Sequence, residues 1–316
     1  MRRPPLPPLP PPLRPGDRVR LVAASSALES AERLEAGISV LRRWGLEVED
    51  PGSLVGRRWG YLAGTDQQRA GDLARHERED TLAPLLACVR GGWGSARLLD
   101  AGGGGLTSLA STQWLLGFSD ITSLLWARWA RGCSGGIHGP LLTTLASEPL
   151  WSQERLQDLL FGKGLAPLEG SGWVGGLAEG PLLVANLTVA THLLGTPHLP
   201  ELQGAIVVFE DVGEAPYRIE RMLTHWRLCG ALQQLAGIGW GSFSGCTDDD
   251  RANQPPDTFF TTEQVLRERT ADLGIPVVAH LPVGHTPGNA ALPLGIWARL
   301  DGSAGRLELE PTWLKA

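Results

Sequence analysis

The chain has 316 residues, of which 42% are hydrophobic and 20% charged, and a net charge of −6. This is an ordinary globular composition, its length favours about two domains, and its acidic balance excludes the basic face that nucleic-acid binding requires. All but two of the 28 basic residues are arginine, the exceptions being Lys163 and Lys315. Cys88, Cys133, Cys229 and Cys246 form no C-x-x-C pair, which excludes the common zinc and redox motifs and fits a reducing compartment. No apolar run reaches the roughly 20 residues that span a bilayer.

Met1-Arg2-Arg3 leads into a proline-rich run that ends at Pro15. No apolar segment follows the arginines, so a signal peptide is not expected here, and residues 1–15 are expected to be an extended tail outside the fold. Val19–Ala24 reads as a buried strand, Glu29–Trp44 as an amphipathic helix, Leu46–Val48 as a strand and Gln67–His76 as a helix. That alternation predicts a parallel α/β sheet. The apolar run Ala83–Val89 gives way to Arg90-Gly91-Gly92-Trp93-Gly94-Ser95, and helix resumes over Ala96–Leu99. A glycine-rich strand-to-helix loop can aim backbone N–H groups at an anion. It matches neither the P-loop nor G-x-G-x-x-G, and a tight turn explains it equally well. Ala101–Gly105 reads as a loop without a function.

Trp114–Leu116 reads as the end of a buried strand, and Ile121–Ala130 as the helix after it. Between them lies Gly117-Phe118-Ser119-Asp120. A serine at such a turn sits on a tight backbone beside unpaired helix N–H groups, where an oxyanion could be stabilised. Ile121 replaces the second glycine of a G-x-S-x-G elbow. A helix cap by Ser119 or Asp120 accounts for the same residues, and both readings stand at this point. His138, in Gly136-Ile137-His138-Gly139-Pro140, reads as a structural histidine.

Periodicity fades over residues 148–179, which read as a linker between an N-terminal α/β domain (16–147) and a C-terminal domain (180–316). Ala205–Phe209 is expected as a strand delivering Glu210 and Asp211 at its end, followed by a helix over Tyr217–Leu228. Ile238–Phe243 and Ile275–Ala279 read as strands and Thr262–Leu273 as a helix. Asp248-Asp249-Asp250 reads as a solvated loop rather than a metal site. Val283-Gly284-His285 precedes strand-like segments at Ala291–Gly295 and Trp297–Leu300, so this half is expected to be β-rich. Ser119, Glu210 and His285 are then three residues at element ends. Serine needs a base, and histidine needs a carboxylate to fix its tautomer. Separations of 91 and 75 residues do not themselves bring the three together.

Four motifs in one order carry a resemblance over about Gly16–Leu309. They are Arg90–Leu99, Gly117-Phe118-Ser119-Asp120-Ile121-Thr122, Phe209-Glu210-Asp211-Val212-Gly213-Glu214-Ala215-Pro216-Tyr217-Arg218 with its continuation to Leu223, and Val283-Gly284-His285 with Ala291–Gly295. The chain resembles the LD-carboxypeptidases of the serine peptidase S66 type, which include the microcin C immunity peptidases. The resemblance implies a flavodoxin-like parallel α/β domain, a C-terminal β-rich domain of swivelling or barrel-like form, and a homodimer. It also implies Ser119 as nucleophile, Glu210 and His285 as its partners, and an oxyanion hole of backbone N–H groups from Asp120 and from Gly91 or Gly92. No metal or organic cofactor is implied.

The implied substrate is a murein tetrapeptide cut to the tripeptide and D-alanine during cell-wall recycling, which would place the protein in the cytoplasm. Peptidyl-nucleotide antibiotics are the alternative substrate. A non-catalytic protein that binds a small anion through Arg90–Gly94 is the alternative from another class. No nucleic-acid or membrane partner is expected. Arg90 and Arg218 are candidates for the substrate carboxylate. The chain departs from the family pattern at Trp93, where tyrosine is more usual, at Ala185 before Asn186, and at Thr286-Pro287-Gly288-Asn289 after the histidine.

Overall fold

A computed structural model describes residues 5–49, 52, 54–73, 82–100, 113–248 and 258–310. Its strands, in chain order, begin with β1 (Arg18–Val22), β2 (Glu47–Val48), β3 (Leu85–Cys88), β4 (Trp114–Gly117) and β5 (Gly136–His138). These five are parallel, in the spatial order β2-β1-β3-β4-β5. That is the flavodoxin-like order, whose ligand crevices lie at the carboxyl ends of the strands. Strands β3 and β4 read Leu-Leu-Ala-Cys and Trp-Leu-Leu-Gly, and every residue of both is buried. Continuous apolar runs of this kind mark strands covered on both faces.

Helices α1 (Ala31–Arg43), α2 (Asp66–Leu73), α3 (Arg97–Asp100), α4 (Thr122–Ala130) and α5 (Leu142–Leu145) connect or cover these strands. Ser30 caps α1 by accepting from the Arg33 N–H, and Leu34, Ile38 and Leu41 form its buried stripe. Gly37 lets α1 close on α5, since a Cβ there would lie 1.9 Å from the Leu142 carbonyl oxygen. Described helix α2 stops at Leu73, so the last part of the helix expected to His76 lies outside the described residues. So do Ala101–Gly105 and two of the three adjacent aspartates, Asp249 and Asp250.

Residues 148–179, read from the sequence as a linker without clear periodicity, carry regular elements. They contain helix α6 (Leu150–Leu160), strands β6 (Leu168–Glu169) and β7 (Ser171–Val174), and the start of β8 (Leu177–Asn186). The periodicity is faint because the strands are short and glycines interrupt them. After α7 (Leu187–Leu193) come β9 (Ile206–Val212), α8 (Pro216–Leu228), β10 (Gly237–Ser244), α9 (Thr262–Thr270) and β11 (Val277–Ala279). The last strands among the described residues are β12 (Leu292–Pro293), β13 (Trp297–Asp301) and β14 (Arg306–Leu309). The second sheet runs β6-β14-β13-β8-β9-β10-β11-β7. Its two edge strands, β6 and β7, are separated in sequence by Gly170 alone. The Gly170 N–H donates to the Gly305 carbonyl (2.7 Å), so the sheet is nearly closed on itself.

Two further expectations are corrected. The proline-rich segment is extended but it is not a free tail. Leu13 is buried and its N–H donates to the Leu160 carbonyl (2.8 Å), Trp114 donates its indole N–H to the Pro11 carbonyl (2.9 Å), and Ser134 donates to the Pro8 carbonyl. Proline has no N–H to satisfy, so such a run can lie against a folded surface and offer only carbonyls. Strand β12 belongs to the first sheet, antiparallel to β5, although the sequence reading placed it in the C-terminal domain. It ties the chain after His285 back to the sheet that carries Ser119.

Candidate active site

Strand β4 ends at Gly117, and Ser119 opens a 3-10 turn that runs into α4. Ser119 has a φ of +62°. A left-handed backbone costs a non-glycine residue about 1–2 kcal/mol, and it persists only where the surroundings impose it. Here Asp120 imposes it. Its buried carboxylate accepts from the Ser25 hydroxyl (2.5 Å) and the Ser95 N–H (2.8 Å), while Ser95 donates its hydroxyl to the Asp120 carbonyl (2.5 Å). Burial pushes the Asp120 carboxyl above its ordinary pKa, and these hydrogen bonds oppose that push. Neither Ser119 nor Asp120 caps the helix through its side chain. The turn is pinned from outside, and it presents the serine hydroxyl at the carboxyl end of β4.

His285 faces that hydroxyl. Its Nε2 lies 3.0 Å from Ser119 Oγ, and its Nδ1 lies 2.6 Å from Glu210 Oε2. The structure therefore joins in one hydrogen-bonded chain three residues that the sequence left far apart. Glu210 is fully buried and sits within β9, which continues to Val212 rather than ending at Phe209. Burial pushes its carboxyl upward, against the His285 hydrogen bond. Burial would lower the His285 pKa, but the hydrogen bond and charge of Glu210, with Asp211 adding to them, hold it above 6.5. Gly284 has φ +122°, and a Cβ there would meet Ser242 Oγ at 2.4 Å and Glu210 Oε2 at 2.9 Å, so only glycine lets the histidine loop lie this close to the acid.

The three residues come from both sheets, and specific contacts hold the sheets in register. The Asn186 N–H donates to Thr122 Oγ1 (3.0 Å), three residues beyond Ser119, and Asn186 stands opposite Glu210 in the β8–β9 ladder. Trp126 on α4 donates its indole N–H to the Val184 carbonyl (2.9 Å). Ser119 and His285 open onto a cleft of about 560 Å³. Gly91 and Gly92 form part of its wall. A Cβ at Gly91 would lie 3.3 Å from Ser119 Oγ, whereas one at Gly92 would point to Ser26 Oγ at 2.2 Å. Gly91 is the glycine that abuts the serine.

Residues 19–139 match the LD-carboxypeptidase N-terminal domain, and residues 179–300 match the LD-carboxypeptidase C-terminal domain. The chain belongs to the LD-carboxypeptidase family. A murein tetrapeptide carboxypeptidase of Pseudomonas aeruginosa is 36% identical over 90% of this chain and 94% of its own. A provisionally named carboxypeptidase of Synechocystis sp. is 48% identical over 94% of this chain and 95% of its own. The crystal structure of a muramoyltetrapeptide carboxypeptidase from Oxalobacter formigenes superposes with a TM-score of 0.77, at 26% identity, over 92% of this chain and 97% of that one.

Around the Ser119–His285–Glu210 chain stand further residues, some of which the sequence reading did not single out. Glu148 accepts from the N–H groups of Gly288 (2.7 Å) and Asn289 (3.1 Å), and Asn289 Oδ1 accepts from the Gly284 N–H (3.0 Å), so the loop bearing His285 is held on both sides. Phe118 lies between the rings of His285 (centroids 4.7 Å apart) and His138 (5.5 Å). His138 is fully buried and burial pushes its pKa down to about 3, but neither ring nitrogen has a hydrogen-bond partner among the described residues, so it is not the satisfied histidine that the sequence suggested. Asp211 accepts from Asn186 Nδ2 (3.0 Å) and from the Thr188 N–H (2.9 Å) and hydroxyl (2.8 Å), and so orders the start of α7.

The two carboxylate-binding candidates fare differently. Arg218 donates to Glu214 (3.5 Å) and the Tyr217 hydroxyl (3.1 Å), and it does not line the serine cleft. Arg90 lines it, but its guanidinium is engaged by Glu29 (2.7 Å) and the Ala27 carbonyl (2.5 Å). Among the described residues no group of three or more His, Cys, Asp or Glu side chains is placed to hold a metal ion, and no helix is long and apolar enough to cross a membrane.

Proposed function

We propose that this chain is a serine carboxypeptidase that releases a C-terminal D-amino acid from a peptide with an L-centre before it, its substrate being a murein tetrapeptide that yields a tripeptide and D-alanine. The observation that carries the reading is the Ser119–His285–Glu210 chain at 3.0 and 2.6 Å, opening on one cleft. His285 Nε2 takes the Ser119 proton as Oγ attacks the scissile carbonyl carbon. Glu210 accepts the Nδ1–H, fixes that tautomer and stabilises the imidazolium. The Gly91 and Asp120 N–H groups receive the charge that develops on the carbonyl oxygen. The imidazolium then gives its proton to the leaving D-alanine nitrogen as the C–N bond breaks. The same histidine then takes a proton from water as the water oxygen attacks the acyl carbon, and gives that proton to Ser119 Oγ as the C–Oγ bond breaks and the peptide leaves as its carboxylate.

The test is incubation of the purified protein with murein tetrapeptide and quantification of free D-alanine. Release at a catalytic rate is expected, and no release at millimolar substrate would sink the reading. A second reading, hydrolysis of a peptidyl-nucleotide, is favoured by the exposed Trp93, which lines the cleft with the exposed Tyr61 edge to face behind it (6.5 Å) and offers a face to a planar base. Assaying both substrates side by side separates the two. The homodimer belongs to the same reading, with light scattering as its check.

Gly91 gives a sharper test of the site. Gly91→Ala places a methyl group 3.3 Å from Ser119 Oγ, in the space that the attacked carbonyl must enter. Misplacement of about an ångström costs about 100-fold in rate. The expected result is a kcat/KM lowered to that extent. Parent-like kinetics would remove Gly91 from the oxyanion site.

A further inference from the structure

The cleft in front of Ser119 is lined by three charged side chains besides His285: Glu29, Arg33 and Arg90. Two of them neutralise each other, because Arg90 gives Nη2 to Glu29 at 2.7 Å and Nη1 to the Ala27 carbonyl. The third differs. Arg33 is exposed, and its guanidinium has no hydrogen-bond or ion-pair partner among the described residues. Its backbone is firmly placed all the same. The Arg33 N–H donates to Ser30 Oγ (3.2 Å), Leu34 beside it is fully buried, and Gly37 one turn later is packed on the Leu142 carbonyl. The cleft thus carries one uncompensated positive charge, on a fixed backbone, facing the same space as the serine hydroxyl.

An unpaired guanidinium is a fork of parallel N–H donors that matches a carboxylate in two hydrogen bonds. On the reading above, the substrate brings such a group. The terminal carboxylate hangs from the Cα attached to the leaving nitrogen, so it must be received within one residue's length of Ser119. Arg90 is held by Glu29, and taking up the substrate there would strand that acid. Arg33 can take the carboxylate without breaking any bond the protein makes.

We propose that Arg33 binds the C-terminal carboxylate of the substrate and so makes the site an exopeptidase site; the inference rests on the carboxypeptidase reading. A peptide that continued past this residue would present a neutral amide where Arg33 requires an anion. The guanidinium would then be desolvated without a partner, which rejects internal bonds.

The experiment compares D-alanine release from the murein tetrapeptide with D-alaninamide release from the same peptide amidated at its C-terminus. The parent and the variants Arg33→Gln and Arg33→Lys are measured with both. Charged hydrogen bonds of this kind are worth about 10- to 100-fold in an equilibrium or specificity constant. The parent is expected to prefer the acid by that factor. Arg33→Gln should lose the preference through kcat/KM on the acid alone, leaving the amide rate where it was, and Arg33→Lys should keep part of it. Arg33 makes no side-chain bond among the described residues, so the Tm of each variant should equal the parent's. An acid-to-amide ratio unchanged in Arg33→Gln overturns the subsite while leaving the carboxypeptidase reading intact. A parent that releases neither product overturns that reading, and this subsite with it.

Discussion

Ser119→Ala is expected to lower kcat/KM for D-alanine release by about 10⁴- to 10⁶-fold, the loss seen when the nucleophile of a triad that acts as a unit is removed. The hydroxyl is the only group removed, and its hydrogen-bond partner among the described residues is His285 Nε2. The pins of the turn, Ser25 and Ser95 on Asp120, are untouched, so folding should survive. The backbone adds a second readout that a merely structural serine would share only in part. Alanine inherits the left-handed φ of +62° with its steric cost, whereas glycine does not. Ser119→Gly should therefore be as inactive as Ser119→Ala and melt at a higher temperature. The pairing of lost activity with gained stability would identify Ser119 as a residue kept in strain for chemistry. Activity within tenfold of the parent in either variant would remove it as the nucleophile.

The sequence showed the α/β rhythm of the first sheet because its strands are continuous apolar runs between amphipathic segments. It also showed Ser119 and His285 at element ends, each within two residues of a glycine, and Glu210 at the end of an expected strand that in the structure continues to Val212. Other features left no mark because they depend on contacts between distant segments. The wedge of Asp120 between Ser25 and Ser95 is invisible as spacing, since Asp120 reads equally well as a cap. The grip of Glu148 on the His285 loop spans about 140 residues. Near-closure of the second sheet rests on two strands, of two and four residues, flanking Gly170, too short to show a period of two. The prolines of residues 5–15 suggested a tail because composition reports what a segment cannot bond to, not which surface it lies on. Arg33 lay inside a helix of ordinary amphipathic pattern, and it stands out only once Arg90 is seen to be paired with Glu29. Charge balance in a cleft is a property of the fold.

Glu210→Gln is expected to lower kcat/KM near neutral pH by about 10³- to 10⁴-fold and to move the acid limb of the pH profile to lower pH. The direction follows from what holds the His285 pKa up. Burial favours the neutral imidazole, and only the hydrogen bond and negative charge of Glu210, with the more distant Asp211, raise its pKa above 6.5. The general base must be neutral to take the serine proton. In the parent, kcat/KM should therefore fall as pH drops through a midpoint above 6.5, where His285 becomes protonated. Glutamine keeps the volume and removes the charge, leaving burial to dominate, so His285 stays neutral to lower pH and the limb moves down. The rate falls nonetheless, because the imidazolium formed during attack has lost its counter-charge, and an amide N–H turned toward Nδ1 would also enforce the wrong tautomer. Stability should move the other way or not at all. A carboxylate with no exposed surface is costly to bury, and an isosteric neutral group avoids that cost. A large loss of rate with a lowered limb and an undiminished Tm assigns Glu210 to the chemistry. A limb that stays in place would mean that something other than Glu210 sets the His285 pKa.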